Sequence, residues 1–247
     1  MDDHALAATL AGSAGSILTA IRTSELLAGK DLGSAGDAVA HSWLASALSR
    51  LRPADGLLSE EAAGDDHSGH HRLWIVDPLD GTREFSEGRA DWAVHVALVS
   101  DGRPIAAAVA LPGLGQLLSS AEPIALPAVS GPIRIAVSRS RPPAFASELA
   151  SRLSAELVPM GSAGYKAMAV LRGEVHAYLH AGGQYEWDSA APVGVAVHAG
   201  LHASRIDGSP LIFGKSDAWS PDLLICRPEL AEVLLATVAT LIGEPAC

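Results

Sequence analysis

The six residues from Asp77 to Thr82, DPLDGT, directly follow the apolar run 72–76, RLWIV. The run is short and rich in β-branched and aromatic residues, which predicts a buried strand that ends near Pro78. Asp77 is then the last strand residue, and a turn brings Asp80 back beside it. Two neighbouring carboxylates are hard oxygen ligands of the kind that Mg²⁺ prefers.

The end of this stretch suits a phosphate group. Gly81 allows the backbone to approach a phosphate closely, and the Thr82 hydroxyl can hydrogen-bond a water or a phosphate oxygen. An Asx-rich turn with a helix cap is the alternative interpretation of D-P-x-D alone.

Two further acidic features flank the stretch. Upstream, Glu60 and Glu61 follow an apolar pair, and in an extended segment only one of them can face a common site. Downstream, Asp188 in QYEWDSAA, residues 184–191, precedes a run of small residues. By itself Asp188 is typical of a helix N-cap.

The order Glu-Glu, DPLDGT, Trp-Asp-Ser-Ala-Ala resembles the inositol monophosphatase superfamily of Mg²⁺-dependent, lithium-sensitive phosphatases over roughly residues 5–230. Three further stretches, 82–85, 136–140 and 161–166, resemble its CysQ branch of actinobacterial type, the 3′(2′),5′-bisphosphate nucleotidases. The resemblance implies a layered αβαβα sandwich with the site between two lobes. It also implies a role in clearing a by-product of sulfate assimilation.

The resemblance further implies the metal ligands. Glu60, Asp77 and the backbone carbonyl of Leu79 would hold one Mg²⁺, and Asp77, Asp80 and Asp188 a second. Asp77 would bridge the two ions.

Other roles come from the same resemblance. Thr82, together with Glu60, would orient the attacking water, and Asp37 would act near a third, weaker metal. The segment 32–37 lacks the threonine usual in the family. The implied reaction is in-line attack by an activated water, with no phosphoenzyme.

The implied substrate is adenosine 3′,5′-bisphosphate (PAP), with its sulfated form PAPS as a further candidate. Ala181 replaces a glutamate of the inositol-specific relatives, and Lys166 is placed to meet a second phosphate. His180 stands where the branch often has arginine. The substrate contacts expected are Glu60, Leu79, Asp80, Gly81, Thr82, Arg139, Lys166 and Asp188.

Alternatives remain open for residues and for function. Lys166 could be an exposed helix lysine, Arg139 a solvated loop cation and His180 a packed histidine. Inositol phosphate or fructose 1,6-bisphosphate could be the substrate, since they require the same metal ligands. A non-catalytic nucleotide sensor is the third hypothesis. The histidines and aspartates of the Gly- and Ser-containing segment 64–71 lack the spacing of a zinc site: Asp65, Asp66, His67, His70 and His71.

The composition favours a globular enzyme that acts on small-molecule substrates. The chain has 247 residues and a net charge of −11, which disfavours nucleic acid as a partner. Two cysteines, Cys226 and Cys247, are too few for a disulfide framework and fit a reducing cytoplasm. We expect no secretory signal and no membrane span. Monomer and homodimer both remain open.

The predicted elements divide the chain into an α+β lobe, residues 1–127, and an α/β lobe, residues 128–247. The first lobe carries most metal ligands in an antiparallel sheet beside two helices, 3–27 and 36–51, and the second carries Asp188 and substrate contacts. A Pro- and Gly-rich stretch, 123–132, is the predicted linker. The strands expected are 72–76, 93–99, 105–111, 133–137, 175–179 and 223–226, and the later helices are 144–154, 165–171, 188–199 and 229–242.

Overall fold

A computed structural model describes residues 1–62 and 70–243 of the chain. The first part of the chain forms helices α1 Asp3–Thr23, α2 Gly29–Leu51 and α3 Thr82–Ser86, with strands β1 Gly56–Ser59, β2 Arg72–Asp80, β3 Ala93–Ser100, β4 Arg103–Leu111 and β5 Gln116–Ser119. The second part forms strands β6 Arg134–Ser138, β7 Glu156–Met160, β8 Ala177–Tyr185, β9 His202–Ser204 and β10 Trp219–Cys226, with helices α4 Ala146–Leu153, α5 Ala163–Leu171, α6 Glu186–His198 and α7 Ala231–Gly243. Short 3₁₀ turns lie at Glu60–Ala62, Pro112–Leu114 and Pro228–Leu230.

The strands form two sheets. The first has the order β1-β2-β3-β4-β5 and is antiparallel except for the parallel pair β1 and β2. The second has the order β7-β6-β8-β10-β9, with parallel pairing of β6 to both neighbours and antiparallel pairing around β10. A hairpin at Asp101 and Gly102, both with positive φ, joins β3 to β4.

Helices lie on both faces of each sheet and complete five layers. Helices α1 and α2 cover one face of the first sheet, while α5 and α6 pack between the two sheets. Helices α4 and α7 cover the outer face of the second sheet. Three buried apolar clusters fill the spaces between the layers, and the middle cluster joins side chains of both sheets to those of α5 and α6. The predicted layered αβαβα sandwich is confirmed, and the division at residue 127 stays a prediction.

The strand that carries the DPLDGT motif is longer than predicted. β2 does not end at Asp77 but continues to Asp80, with an irregularity in its pairing to β3. Asp77 pairs with His95 and Asp80 with Ala93, so β2 holds one extra residue there. Pro78 cannot donate to a sheet ladder, which is why a bulge accommodates it. The turn comes at Gly81, whose φ is 90°.

Helix α2 begins at Gly29 and not at Gly36, so that Asp37 lies well inside the helix and not in its first turn. The segment is rich in glycine and serine, which lowers its helix propensity. Its glycines serve packing: a Cβ on Gly33 would lie 2.8 Å from Thr82 Cγ2, and one on Gly36 would lie 3.1 Å from Phe85. Close approach of α2 to α3 therefore outweighs the local preference.

Other boundaries also shift. Strand β8 runs on to Tyr185 rather than ending at Leu179, which places His180 inside a strand. The short strands β1, β5, β7 and β9 were not predicted, and β7 includes Pro159 because it is an edge strand.

Helix α1 meets the length and apolar composition of a membrane span, and among the described residues no other helix does. Its residues Leu6, Leu10, Ala14 and Leu18 are buried, and the helix packs against β3 and β4. A core helix of a soluble protein meets the same criterion.

Candidate active site

Three carboxylates from distant parts of the chain converge. Asp77 and Asp80 lie on β2, Asp188 lies in the first turn of α6, and each offers an oxygen within 4.8 Å of the others. Asp188 is not the N-cap, because α6 begins at Glu186, yet its Oδ2 accepts a hydrogen bond of 2.7 Å from the N–H of Tyr185. The donor set consists of oxygen alone, which suits a hard divalent cation.

Asp77 is in surroundings that oppose its negative charge. Its Oδ1 accepts a hydrogen bond of 3.0 Å from the N–H of Leu79. Burial, followed by the charges of Asp80 and Asp188, raises the pKa of Asp77 well above its ordinary value. Burial and Asp80 likewise raise the pKa of Asp188 to about 6. A cation bound among these groups would relieve the repulsion.

Asp80, three residues further on, is in the opposite situation. Its carboxylate accepts hydrogen bonds from the Ser162 hydroxyl and from the N–H groups of Ala163 (3.1 Å) and Gly164 (2.7 Å) at the start of α5. Burial alone would raise its pKa, but His95 and then Lys166 and Ser162 lower it below the ordinary value. Asp80 is therefore ionised and rigidly held, and it ties the first sheet to α5.

His95 is a site residue that the sequence analysis missed. It is fully buried on β3, with Nδ1 at 3.0 Å from the carbonyl of Trp187 and Nε2 at 3.1 Å from Asp80 Oδ2. Since a carbonyl only accepts, Nδ1 carries a proton. Burial would lower the pKa of His95, yet Asp80 raises it above 6.5. The available signal was one polar residue inside the apolar strand AVHVALV.

Thr82 and Asp37 meet even though the family's threonine is absent near Asp37. The Thr82 hydroxyl lies 3.1 Å from both Asp37 Oδ2 and the carbonyl oxygen of Leu79. Burial and the charges of Glu61 and Glu60 raise the pKa of Asp37 to about 7.

The two adjacent glutamates face different ways. Glu60 lines the same cleft as Asp80 and Asp188, whereas Glu61 lies 3.4 Å from His41. Glu60 is exposed and lies outside the compact group of aspartates. Crowding by protein atoms, then Glu61, Asp188 and Asp80, raises its pKa.

Glu60, Asp80 and Asp188 line a cleft of about 420 Å³, which also contains the predicted substrate residues Gly81, Thr82, Arg139 and Lys166. Gly81 requires its glycine, because its φ is 90° and a Cβ would lie 3.2 Å from Ser162 Cβ. Leu79 is buried and offers the site its backbone alone.

The predicted cations are less available than the sequence suggested. Lys166 is not an exposed helix lysine but is buried, and Arg139 forms ion pairs with Glu84 and Asp91. His180 is packed, with Nε2 at 2.9 Å from the carbonyl of Gly183.

The remaining sequence hypotheses concern histidines and cysteines. Asp65, Asp66 and His67 lie outside the described residues, as does Cys247, while His70 and His71 are exposed. Cys226 is a buried free thiol.

Comparison with known proteins relates this geometry to a family. The profile of the inositol monophosphatase family matches residues 5–242. A protein of Mycobacterium leprae (strain TN) named 3′-phosphoadenosine 5′-phosphate phosphatase is 49% identical over 96% of this chain and 94% of its own length. The 3′(2′),5′-bisphosphate nucleotidase CysQ of Escherichia coli (strain K12) is 32% identical over 72% of this chain and 77% of its own length.

Solved structures share the fold. The inositol monophosphatase II of Staphylococcus aureus MSSA476 superposes with a TM-score of 0.79 at 20% identity, covering 96% of this chain and 95% of its own. The chain belongs to the inositol monophosphatase family.

Proposed function

We propose that this chain is a Mg²⁺-dependent phosphatase that removes the 3′-phosphate of PAP and releases AMP and phosphate. The observation that carries the proposal is the cluster of Asp77, Asp80 and Asp188 beside a cleft large enough for a nucleotide. The names of the mycobacterial and CysQ relatives support the choice of substrate.

The residues of the site fit Mg²⁺. Burial and mutual repulsion leave the charge of Asp77 without compensation from the protein, and among the described residues Asp37 Oδ1 has no hydrogen-bond partner. Oxygen ligands of this kind suit Mg²⁺, which keeps positions for water and phosphate. Asp77, Asp80 and Asp188 would hold one ion.

A second ion would use Asp77 again, together with Glu60 and the carbonyl of Leu79; a third near Asp37 stays a prediction. When bound, Mg²⁺ neutralises the charge on the transferred phosphate and acidifies a nearby water.

The chain's own groups position the reactants. Because the Thr82 hydroxyl donates to Asp37 or to the Leu79 carbonyl, its lone pairs are free to accept a hydrogen bond from the attacking water. The carboxylate of Glu60, which lines the same cleft as Thr82, would accept a second hydrogen bond from that water. Asp80 and His95 fix the start of α5 and the carbonyl of Trp187, and thereby the position of Asp188.

Two exposed aromatic residues in the cleft favour a nucleotide over a sugar or an inositol. Tyr185 and Trp219 line the cleft, with 46% and 43% of their surface exposed, and Tyr185 stacks on Trp187 at 4.6 Å. Exposed aromatic rings offer stacking faces to a base, worth about 1–3 kcal/mol per base in single-strand binding proteins. Ala181 provides no carboxylate for polyol hydroxyls.

The test is phosphate release from PAP, inositol 1-phosphate and fructose 1,6-bisphosphate, each with Mg²⁺ and with EDTA. We expect Mg²⁺-dependent turnover that is fastest on PAP. Faster turnover of inositol 1-phosphate or fructose 1,6-bisphosphate would overturn the substrate assignment, and no turnover of any substrate would favour the nucleotide sensor. PAPS, inhibition by Li⁺, a cytoplasmic location and the choice between monomer and homodimer remain predictions.

A further inference from the structure

Several basic side chains line the cleft, but other groups of the protein already bind most of them. The Arg139 guanidinium lies 2.9 Å from Glu84 Oε1 and also pairs with Asp91. Asp91 in turn accepts a hydrogen bond of 2.8 Å from the N–H of Gly161. Arg139 therefore joins the loop after β6 to the first lobe, and two carboxylates already compensate its charge.

The ammonium group of Lys166 is also bound by other groups of the protein. It donates to the carbonyls of Gly161 (3.1 Å) and Ser162 (2.5 Å) and lies 5.1 Å from the centre of the Tyr178 ring. These contacts hold the turn that presents Ser162 to Asp80. One of its three donors is left for a ligand.

His180, a third basic side chain that lines the cleft, does not supply a fixed positive charge. Its Nε2 faces the carbonyl of Gly183 at 2.9 Å, so that the ring is anchored to its own strand. Burial lowers its pKa, and the nearby positive charges of Lys166 and Arg141 lower it further.

Arg141 differs from these three groups. It is exposed, it borders the main cleft, and it also borders an adjoining recess of about 380 Å³ formed with Pro143, Phe145 and Gly182. Among residues 1–62 and 70–243, no acidic group pairs with its guanidinium.

The backbone at Arg141 is well defined although its side chain is exposed. Its N–H donates to the Ser138 hydroxyl at 3.2 Å, which closes a turn directly after β6. Pro142 and the buried Pro143 follow and restrict the chain further. The base of the arginine is therefore held at the rim of the cleft while its head can meet a ligand.

We propose that Arg141 binds the phosphate of the substrate that is not cleaved, the 5′-phosphate of a nucleoside 3′,5′-bisphosphate. A guanidinium matches a phosphate with two parallel hydrogen bonds, and an uncompensated one gains most from the contact. Arg141 would thus provide the charge that His180 does not. This inference rests on the proposed function, since it assigns the second phosphate of the same substrate.

The experiment compares two substrates that differ in that phosphate alone. Values of kcat/KM are measured for PAP and for adenosine 3′-phosphate with wild-type enzyme and with Arg141→Gln, at saturating Mg²⁺. If adenosine 3′-phosphate is too slow, 4-nitrophenyl phosphate is the monoester reference. Loss of a charge-assisted hydrogen-bonded pair predicts a fall of about 10- to 100-fold on PAP and less than about 3-fold on the monoester.

Two variants control for charge. Arg103→Gln removes the same charge from an exposed position of the β3–β4 hairpin and should leave both substrates unchanged. Arg141→Lys keeps the charge but not the paired hydrogen bonds, and it should restore part of the activity on PAP.

The outcomes separate the inference from the proposed function. An equal fall on both substrates, or no fall on PAP, overturns the role of Arg141 while leaving a PAP phosphatase. Wild-type enzyme that is no faster on PAP than on inositol 1-phosphate overturns the proposed function itself.

Discussion

The two aspartates of the DPLDGT motif are three residues apart on one strand, yet their surroundings are opposite. On the side of Asp77, the protein adds further carboxylates, and the pKa of Asp77 rises. On the side of Asp80, the start of α5 and His95 supply donors and positive charge, and the pKa falls. The protein therefore compensates the negative charge of Asp80, whereas the charge of Asp77 requires a bound cation.

The largest expected effect is on activity, at Asp77. We expect Asp77→Asn to lower phosphatase turnover by about 1,000-fold, because it removes the carboxylate that both metal ions would share. Unfolding by urea in EDTA should show stability equal to or above that of the wild type, since the mutual repulsion is relieved. Near-wild-type turnover of the folded variant at saturating Mg²⁺ would contradict the site.

The same substitution at Asp80 should affect stability as well as activity. Asp80→Asn leaves His95 buried without its anionic partner, and breaking a buried ion pair costs about 3–5 kcal/mol. The comparison is made by urea unfolding at pH 7 in EDTA, where no metal contributes. If Asp77→Asn and Asp80→Asn were equally stable, the contrast between the two aspartates would be wrong.

A smaller effect is expected where α5 approaches His95. A Cβ on Gly164 would lie 2.0 Å from His95 Nε2, so Gly164→Ala should cost about 1–3 kcal/mol by overpacking. Gly12→Ala on α1 is the matched control, because its Cβ would meet Leu117 at an ordinary 3.7 Å. That variant should be neutral or slightly more stable. If thermal unfolding showed that Gly164→Ala is as stable as the wild type, the His95 side chain would not be fixed in position.

The smallest effect is the dependence of metal-free stability on pH. The folded-state pKa is about 6 for Asp188 and about 7 for Asp37, both above the ordinary 3.8. The folded protein therefore holds more protons than the unfolded chain, and its stability falls as pH rises from about 4 to 7. His95, whose pKa is raised, adds a loss of the same sign above its ordinary 6.5.

Asp80 gives the opposite sign at low pH, since its stabilising charge is lost as pH falls below its ordinary value of 3.8. Asp37→Asn should flatten the loss between pH 5 and 7 relative to wild type. The measurement is the urea midpoint against pH in EDTA, and a midpoint that rises through this range would refute the assignment. Added Mg²⁺ should restore stability at the upper end.

Most of the residues of the candidate site could be predicted from the sequence motifs. DPLDGT predicts a strand and a pair of neighbouring carboxylates from local preferences alone, and the structure has both. The predicted end of the strand at Pro78 is wrong, because a bulge accommodates the proline and the strand continues to Asp80. The resemblance correctly implied the family and the layered fold. The start of α2 was less predictable. Gly33 and Gly36 disfavour a helix locally, but α3 can pack closely against α2 only where α2 has glycine.

The sequence by itself determined the chemistry available to this protein, because residue types fix which groups are carboxylates, hydroxyls and cations, and short-range patterns indicate most of the longer strands. The tertiary structure alone decided which of those groups are free. It buries Lys166 against backbone carbonyls, pairs Arg139 with Glu84 and Asp91, brings Asp188 to β2 and places His95 behind Asp80. Charge compensation depends on distances of a few ångströms between residues far apart in the chain, and no local pattern encodes those distances.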